Sequence, residues 1–166
     1  MNSVVIYASH FGNTRKVAEV IAGALQPHGP VHVFSVDEAP TTFPAGTDLV
    51  LVGGPTEQHK MTEPMASFFD HLAPGALEGI AAAAFDTRLR WPRWLSGSAG
   101  SGIEQNLRHA GARVIAPAES FFIKGAAGTG GSSTAELDSG ELERAARWAA
   151  SVAGSPTLST PAAPGR

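Results

Sequence analysis

Ser9, Gly12, Asn13 and Thr14 fall within six positions, directly behind the apolar run Ser3-Val4-Val5-Ile6-Tyr7-Ala8. The apolar run reads as a strand buried on both faces. From Arg15 to Leu25 the apolar positions Val17, Ile21, Ala24 and Leu25 recur at helical spacing. Strand, tight polar loop and helix in this order aim several backbone N–H groups and the positive end of a helix at one spot. Such a spot binds phosphate. An ordinary βα turn without ligand shares the composition; the registration of hydroxyls and glycine with strand and helix favours the phosphate.

Two further stretches carry chemistry. Asp48-Leu49-Val50-Leu51-Val52-Gly53-Gly54 reads as a central parallel strand and runs into Pro55-Thr56-Glu57-Gln58-His59. Thr62-Glu63-Pro64 then starts a helix, with Thr62 as N-cap and Met65, Phe68, Phe69 and Leu72 along it. Later, Thr87-Arg88-Leu89-Arg90-Trp91-Pro92-Arg93-Trp94-Leu95 places three arginines and two tryptophans in nine residues, read as a loop at the C-terminal end of a strand. In open α/β sheets that edge carries the ligand.

The run Tyr7 to Glu19 resembles the phosphate loop and first helix of the flavodoxin-like family, whose loop reads roughly hydroxyl-x-hydroxyl-Gly-x-Thr. Ser9, Gly12 and Thr14 match it, whereas Phe11 stands where a second hydroxyl is usual. The resemblance implies that Ser9, His10, Phe11, Gly12, Asn13 and Thr14 form the phosphate site of flavin mononucleotide (FMN), with Phe11 offering only its backbone N–H. It implies weaker flavin binding than the family norm. It also places Pro55, Thr56, Glu57, Gln58 and His59 against the flavin ring, with Glu57 where an aromatic is common. His59 supplies a flat ring in its stead on one reading; on the other, Glu57 and His59 are solvated loop residues.

Phe85-Asp86-Thr87-Arg88 resembles a subgroup whose third loop differs from that of the electron carriers, and brings Thr87, Arg88 and Trp91 to the flavin. Trp91 or Trp94 stacks on the ring in one reading, and an arginine nearby favours the reduced anionic flavin. In a second reading Arg88, Arg90, Trp91, Arg93 and Trp94 form a patch for a partner protein. In a third they pack under the loop. Asp86 and Glu57 are expected near the ring or the ribityl chain.

The elements that must position these loops follow from the rest of the chain. The 166 residues suit one domain with a full core, 43% hydrophobic and 16% charged. A net charge of −3 does not suit a nucleic-acid or membrane surface, and falls short of the acidity that the resemblance implies for an electron shuttle. The absence of cysteine excludes disulfides, thiolate nucleophiles and cysteine metal sites. No apolar run approaches membrane-spanning length and no signal pattern opens the chain, so a cytoplasmic location is expected.

Val31–Val36 reads as an edge strand, with His28 and His32 as surface residues. Ile80–Asp86 is the fourth strand. Ser96–Gly102 is a flexible glycine-rich lead-in to a helix capped by Ser101 with Glu104. Arg113–Ala116 and Ser120–Lys124 form a fifth strand interrupted around Pro117. Gly125–Thr134 reads as a mobile loop. Asp138 with Glu141 caps the last helix, whose core face is Leu142, Ala145, Ala149 and Val152, with Trp148 packing beside it.

The expected fold is α/β: by resemblance a flavodoxin-like doubly wound, five-stranded parallel sheet of order 2-1-3-4-5, with helices on both faces. Residues 1–153 form the domain and 154–166 a disordered tail rich in Pro, Ala and Thr. By resemblance the function is FMN-based electron transfer or an FMN-dependent oxidoreductase, working with a redox protein or a small electron acceptor. The alternative is a flavodoxin-fold interaction module with weak or lost flavin binding.

Overall fold

The computed structural model describes residues 1–57, 60–90, 97–124, 135–155 and 158. Among the described residues there are seven strands: β1 (Ser3–Tyr7), β2 (Val31–Ser35), β3 (Leu49–Pro55), β4 (Ala81–Leu89), β5 (Arg113–Val114), β6 (Glu119–Lys124) and β7 (Glu136–Leu137). The α-helices among the described residues are α1 (Asn13–Leu25), α2 (Glu63–Asp70), α3 (Ala99–His109) and α4 (Glu141–Ala153). The sheet order is β2-β1-β3-β4-β6-β7, with β5 also pairing β4. The parallel part is the expected 2-1-3-4-5 order, with the fifth strand split into β5 and β6. The count of five omitted β7, a short antiparallel addition at Ile123 and Lys124.

The two apolar faces of the sheet each bury against two helices. Val5, Leu49, Leu51, Ala81, Ala83 and Phe85 face α1 and α4. Val4, Ile6, Val50, Val52, Ala82 and Ala84 face α2 and α3. The strands are therefore apolar at successive positions, as a doubly covered parallel sheet requires. Trp148 packs edge-on against Phe85 and Phe121, with ring centroids 6.1 and 6.0 Å away. The link from β2 to β3 contains no helix.

Several expected boundaries shift for identifiable reasons. β4 runs on to Leu89 because Phe85–Leu89 pair with Glu119–Ile123 of β6. Thr87, Arg88 and Leu89 are thus strand residues and not loop. The cap of α3 is Ser98, whose hydroxyl accepts from the Ser101 N–H at 3.3 Å. Ser101 and Glu104 do not form the cap, since Glu104 instead accepts from the Ala118 N–H at 2.9 Å. At α2, Thr62 holds the N-cap position without a side-chain cap bond, and its hydroxyl is buried without a partner among the described residues. At α4 the N-cap is Gly140, with φ +80°. Asp138 accepts from the Ser139 N–H and from Arg90 instead of capping. Residues 125–134, and 156, 157 and 159–166 of the expected tail, lie outside the described residues. Leu158 packs against the α1/α4 face.

Glu141 joins β6 to α4. It is 5% exposed, accepts from the Phe122 N–H at 2.7 Å and pairs with Arg144. Burial pushes its carboxyl up, but Arg144, the Phe122 N–H and Arg90 outweigh burial and hold it below its ordinary value of 4.5. A carboxyl lowered by folding stabilises the native state above the unfolded value, and that contribution is lost as pH falls through the folded one. Glu141→Gln is expected to cost about 2 kcal/mol at neutral pH and to flatten the loss of stability below 4.5. Urea melts at several pH values read this directly. Parallel pH profiles for the two proteins would assign the acid sensitivity elsewhere.

Candidate functional site

The loop between β1 and α1 is built around two residues. Gly12 has φ +84° and ψ −10°, a left-handed conformation that turns the chain into the helix. The Ser9 hydroxyl accepts from the N–H groups of Gly12 at 3.1 Å and Arg15 at 3.4 Å. The helix ladder opens with Lys16 N–H donating to the Gly12 carbonyl. The N–H groups of His10, Phe11, Asn13 and Thr14 meet no acceptor among the described residues. Four free donors at a helix start, with its dipole behind them, form an oxyanion cradle. Beside it opens a cleft of about 370 Å³, bounded by Ser9, His10, Gly12 and Arg15 on one side and Val36 and Asp37 on the other.

The buried side chains of this loop are held from behind. Asn13 donates through Nδ2 to the Ala135 carbonyl at 2.8 Å. The Thr14 and Thr87 hydroxyls share a hydrogen bond of 2.8 Å. Thr87 is 1% exposed and supports the cradle through Thr14. Phe11 projects outward, 67% exposed, edge-on to His10.

The loop after β3 comes to the same edge. The Thr56 N–H donates to the Thr87 carbonyl. Glu57 and Lys60 exchange two backbone hydrogen bonds, 2.9 and 3.0 Å, which close a tight turn. Glu57 Oε1 lies 3.0 Å from His10 Nδ1, so a side-chain contact bridges the first and second loops. Gln58 and His59 lie outside the described residues, as do Trp91, Arg93 and Trp94.

Two expectations are corrected here. Arg88 cannot serve a partner surface: it is 7% exposed, donates to the Ser120 hydroxyl at 3.0 Å and lies over the Phe122 ring. Its charge is accommodated because Asp86 Oδ1 is 4.0 Å away. Arg90 is exposed but engaged, pairing with Asp138 at 3.1 Å and covering Phe122. Asp86 does not face a ligand either, being wholly buried. Its Oδ2 receives hydrogen bonds from Thr56 Oγ1, Ser98 Oγ and the Gly100 N–H. Sequence reasoning missed this convergence, because Ser98 and Gly100 read as part of a flexible segment. The structure brings Ser9, His10, Gly12, Thr14, Thr56, Glu57 and Thr87 to one edge of the sheet.

In a doubly wound parallel sheet of this order, the loops that leave the first and third strands flank the switch point, the place where ligands bind in open α/β folds. A family model described as a flavodoxin domain matches residues 4–86. The chain belongs to the flavodoxin family. A flavodoxin of Aquifex aeolicus is 36% identical over 93 residues, which is 53% of this chain and 50% of that protein. The matched stretch thus spans half the length of that relative. Among solved structures, a flavodoxin from the domain Archaea superposes with a TM-score of 0.75 over 96% of this chain and 100% of that one, at 22% identity. Flavodoxin 1 of Bacillus cereus gives 0.71 over 92% and 97%, at 20% identity. These structures share the fold. Flavin-binding redox chemistry is the general function of the family.

Proposed function

We propose that this chain binds FMN and passes electrons through it, as a carrier or as an FMN-dependent oxidoreductase. The observation that carries the reading is the cradle at the start of α1, four N–H groups without an acceptor among the described residues, shaped by Gly12 and the Ser9 hook. Such a cradle suits a phosphate dianion and gives no advantage to a neutral ligand. Ser9, His10, Phe11, Gly12, Asn13 and Thr14 hold the phosphate, Phe11 by its backbone alone. Pro55, Thr56, Glu57, Gln58 and His59 take the ring side, with Trp91 as the third-loop contact. Thr87 and Arg88 act from behind. Bound FMN supplies the redox chemistry. The protein's own part is to fix the phosphate, exclude water from the ring and set the charge around it. No described helix is long and apolar enough to cross a membrane, which fits the proposed cytoplasmic setting, with a redox protein or small acceptor as partner.

Titration of the purified protein, read by quenching of flavin fluorescence, tests this. FMN is expected to bind at least about tenfold more tightly than riboflavin, since charge-assisted phosphate bonds supply more than about 1.4 kcal/mol. Absence of binding by either at high micromolar concentration would overturn the reading. The exposure of Phe11, where the family has a hydroxyl, favours a second reading in that case: a flavodoxin-fold module that docks a partner without flavin.

A further inference from the structure

Asp86 lies outside the roles assigned so far, yet four hydrogen bonds centre on it or its immediate partner. Its Oδ2 accepts from Thr56 Oγ1 at 3.1 Å, Ser98 Oγ at 2.7 Å and the Gly100 N–H at 2.9 Å. Thr56 Oγ1 in turn accepts from the Ala99 N–H at 2.9 Å. Thr56 begins the second loop, and Ser98–Gly100 form the start of α3, where the chain returns from the third. These segments are over 40 residues apart in sequence, and no strand pairing joins them. Space around the carboxylate is tight: a Cβ on Gly100 would stand 3.3 Å from Oδ2 and 3.2 Å from Ala118 Cβ. The glycine in α3, unfavourable for a helix by itself, is what lets the helix start approach the carboxylate.

The geometry points to Asp86 as the positioning residue that ties the start of the loop after β3 to the start of α3 and so sets the ring end of the flavin site. This rests on the proposed FMN function for its ligand, but the lock itself is a property of the protein alone. A side-chain oxygen is the fitting group here, because three donors converge on one acceptor. Asparagine keeps an acceptor oxygen of the same reach, whereas alanine removes it.

Two measurements test the assignment. In the first, amide hydrogen exchange of the ligand-free protein is compared with Asp86→Ala and Asp86→Asn. The alanine variant is expected to lose protection together at Thr56, Ala99 and Gly100, by about tenfold or more, while Asn13 to Leu25 keeps its protection and asparagine restores most of the loss. Uniform loss across the whole sheet, or loss in only one of the two segments, would overturn the lock. In the second, FMN and riboflavin are titrated at a temperature where circular dichroism shows each variant folded. Asp86→Ala is expected to weaken both ligands by the same factor, about tenfold, because its effect lies at the ring end. Ser9→Ala is expected to weaken FMN alone. Unchanged affinities in Asp86→Ala, or a loss confined to FMN, would overturn the role of Asp86 while leaving the flavin site standing. Failure of the unmodified protein to bind either flavin would overturn the flavin-site role of Asp86 along with the FMN function. The exchange data would still decide the lock.

Discussion

Phe85→Ala is expected to destabilise the domain by about 3–5 kcal/mol, the range for deleting a fully buried aromatic ring. Phe85 is inaccessible to solvent and contacts Phe121 and Trp148 edge-on. Its place depends on one neighbour. Gly53 is its register partner on β3, and a Cβ there would lie 2.2 Å from the Phe85 ring. Gly53→Ala is therefore expected to cost about 1–3 kcal/mol or more through overpacking. In the Phe85→Ala background the same methyl enters the space the ring has left, and its cost should nearly vanish. Urea unfolding of the four proteins gives the coupling, expected to exceed about 1 kcal/mol. Additive losses would show that Gly53 is retained for a reason other than the ring. Phe85→Leu serves the cycle if the alanine variant does not fold, since about 5–15 kcal/mol is all the stability a domain commonly has.

This pair also shows what the amino-acid order reveals and what it conceals. The alternation of apolar strands with helical stripes was legible, because a sheet covered on both faces leaves runs such as Leu49–Val52 and Ala81–Phe85 with no polar position. The geometry of the first loop was legible for a similar reason: Ser9 and Gly12 act within a few residues of one another, and local geometry follows local sequence. That Gly53 makes room for Phe85 could not be read, since the two meet only once β3 and β4 pair. The third loop failed for the opposite reason. Thr87 and Arg88 look like loop residues by polarity, but Thr14 and Ser120, distant in sequence, satisfy them inside the sheet. Ser101 with Glu104 fits a capping pattern, yet Ser98 takes the cap because Asp86 and Ala118 draw Ser98 and Glu104 into tertiary bonds. Polar residues were misread wherever their partners lay far along the chain on another element.

The cradle itself yields the second large effect. Gly12 adopts φ +84°, and a Cβ built on it would meet nothing within 4 Å. Space is thus available and only the backbone conformation restricts the position. A β-branched residue is strongly disfavoured there, by about 1–2 kcal/mol or more. Asparagine enters the left-handed region far more readily. Gly12→Val is expected to turn the loop away from this conformation, scattering the N–H groups of His10, Phe11, Asn13 and Thr14. FMN affinity should then fall about 100-fold, near 2.7 kcal/mol, which corresponds to losing one or two charge-assisted bonds. Gly12→Asn should stay within a few-fold of the unmodified protein, and riboflavin should bind both variants equally. The titrations separate conformation from bulk, because asparagine and valine are of similar size and differ in tolerance of positive φ. FMN binding by the valine variant at full strength would mean that the phosphate does not rest on this loop.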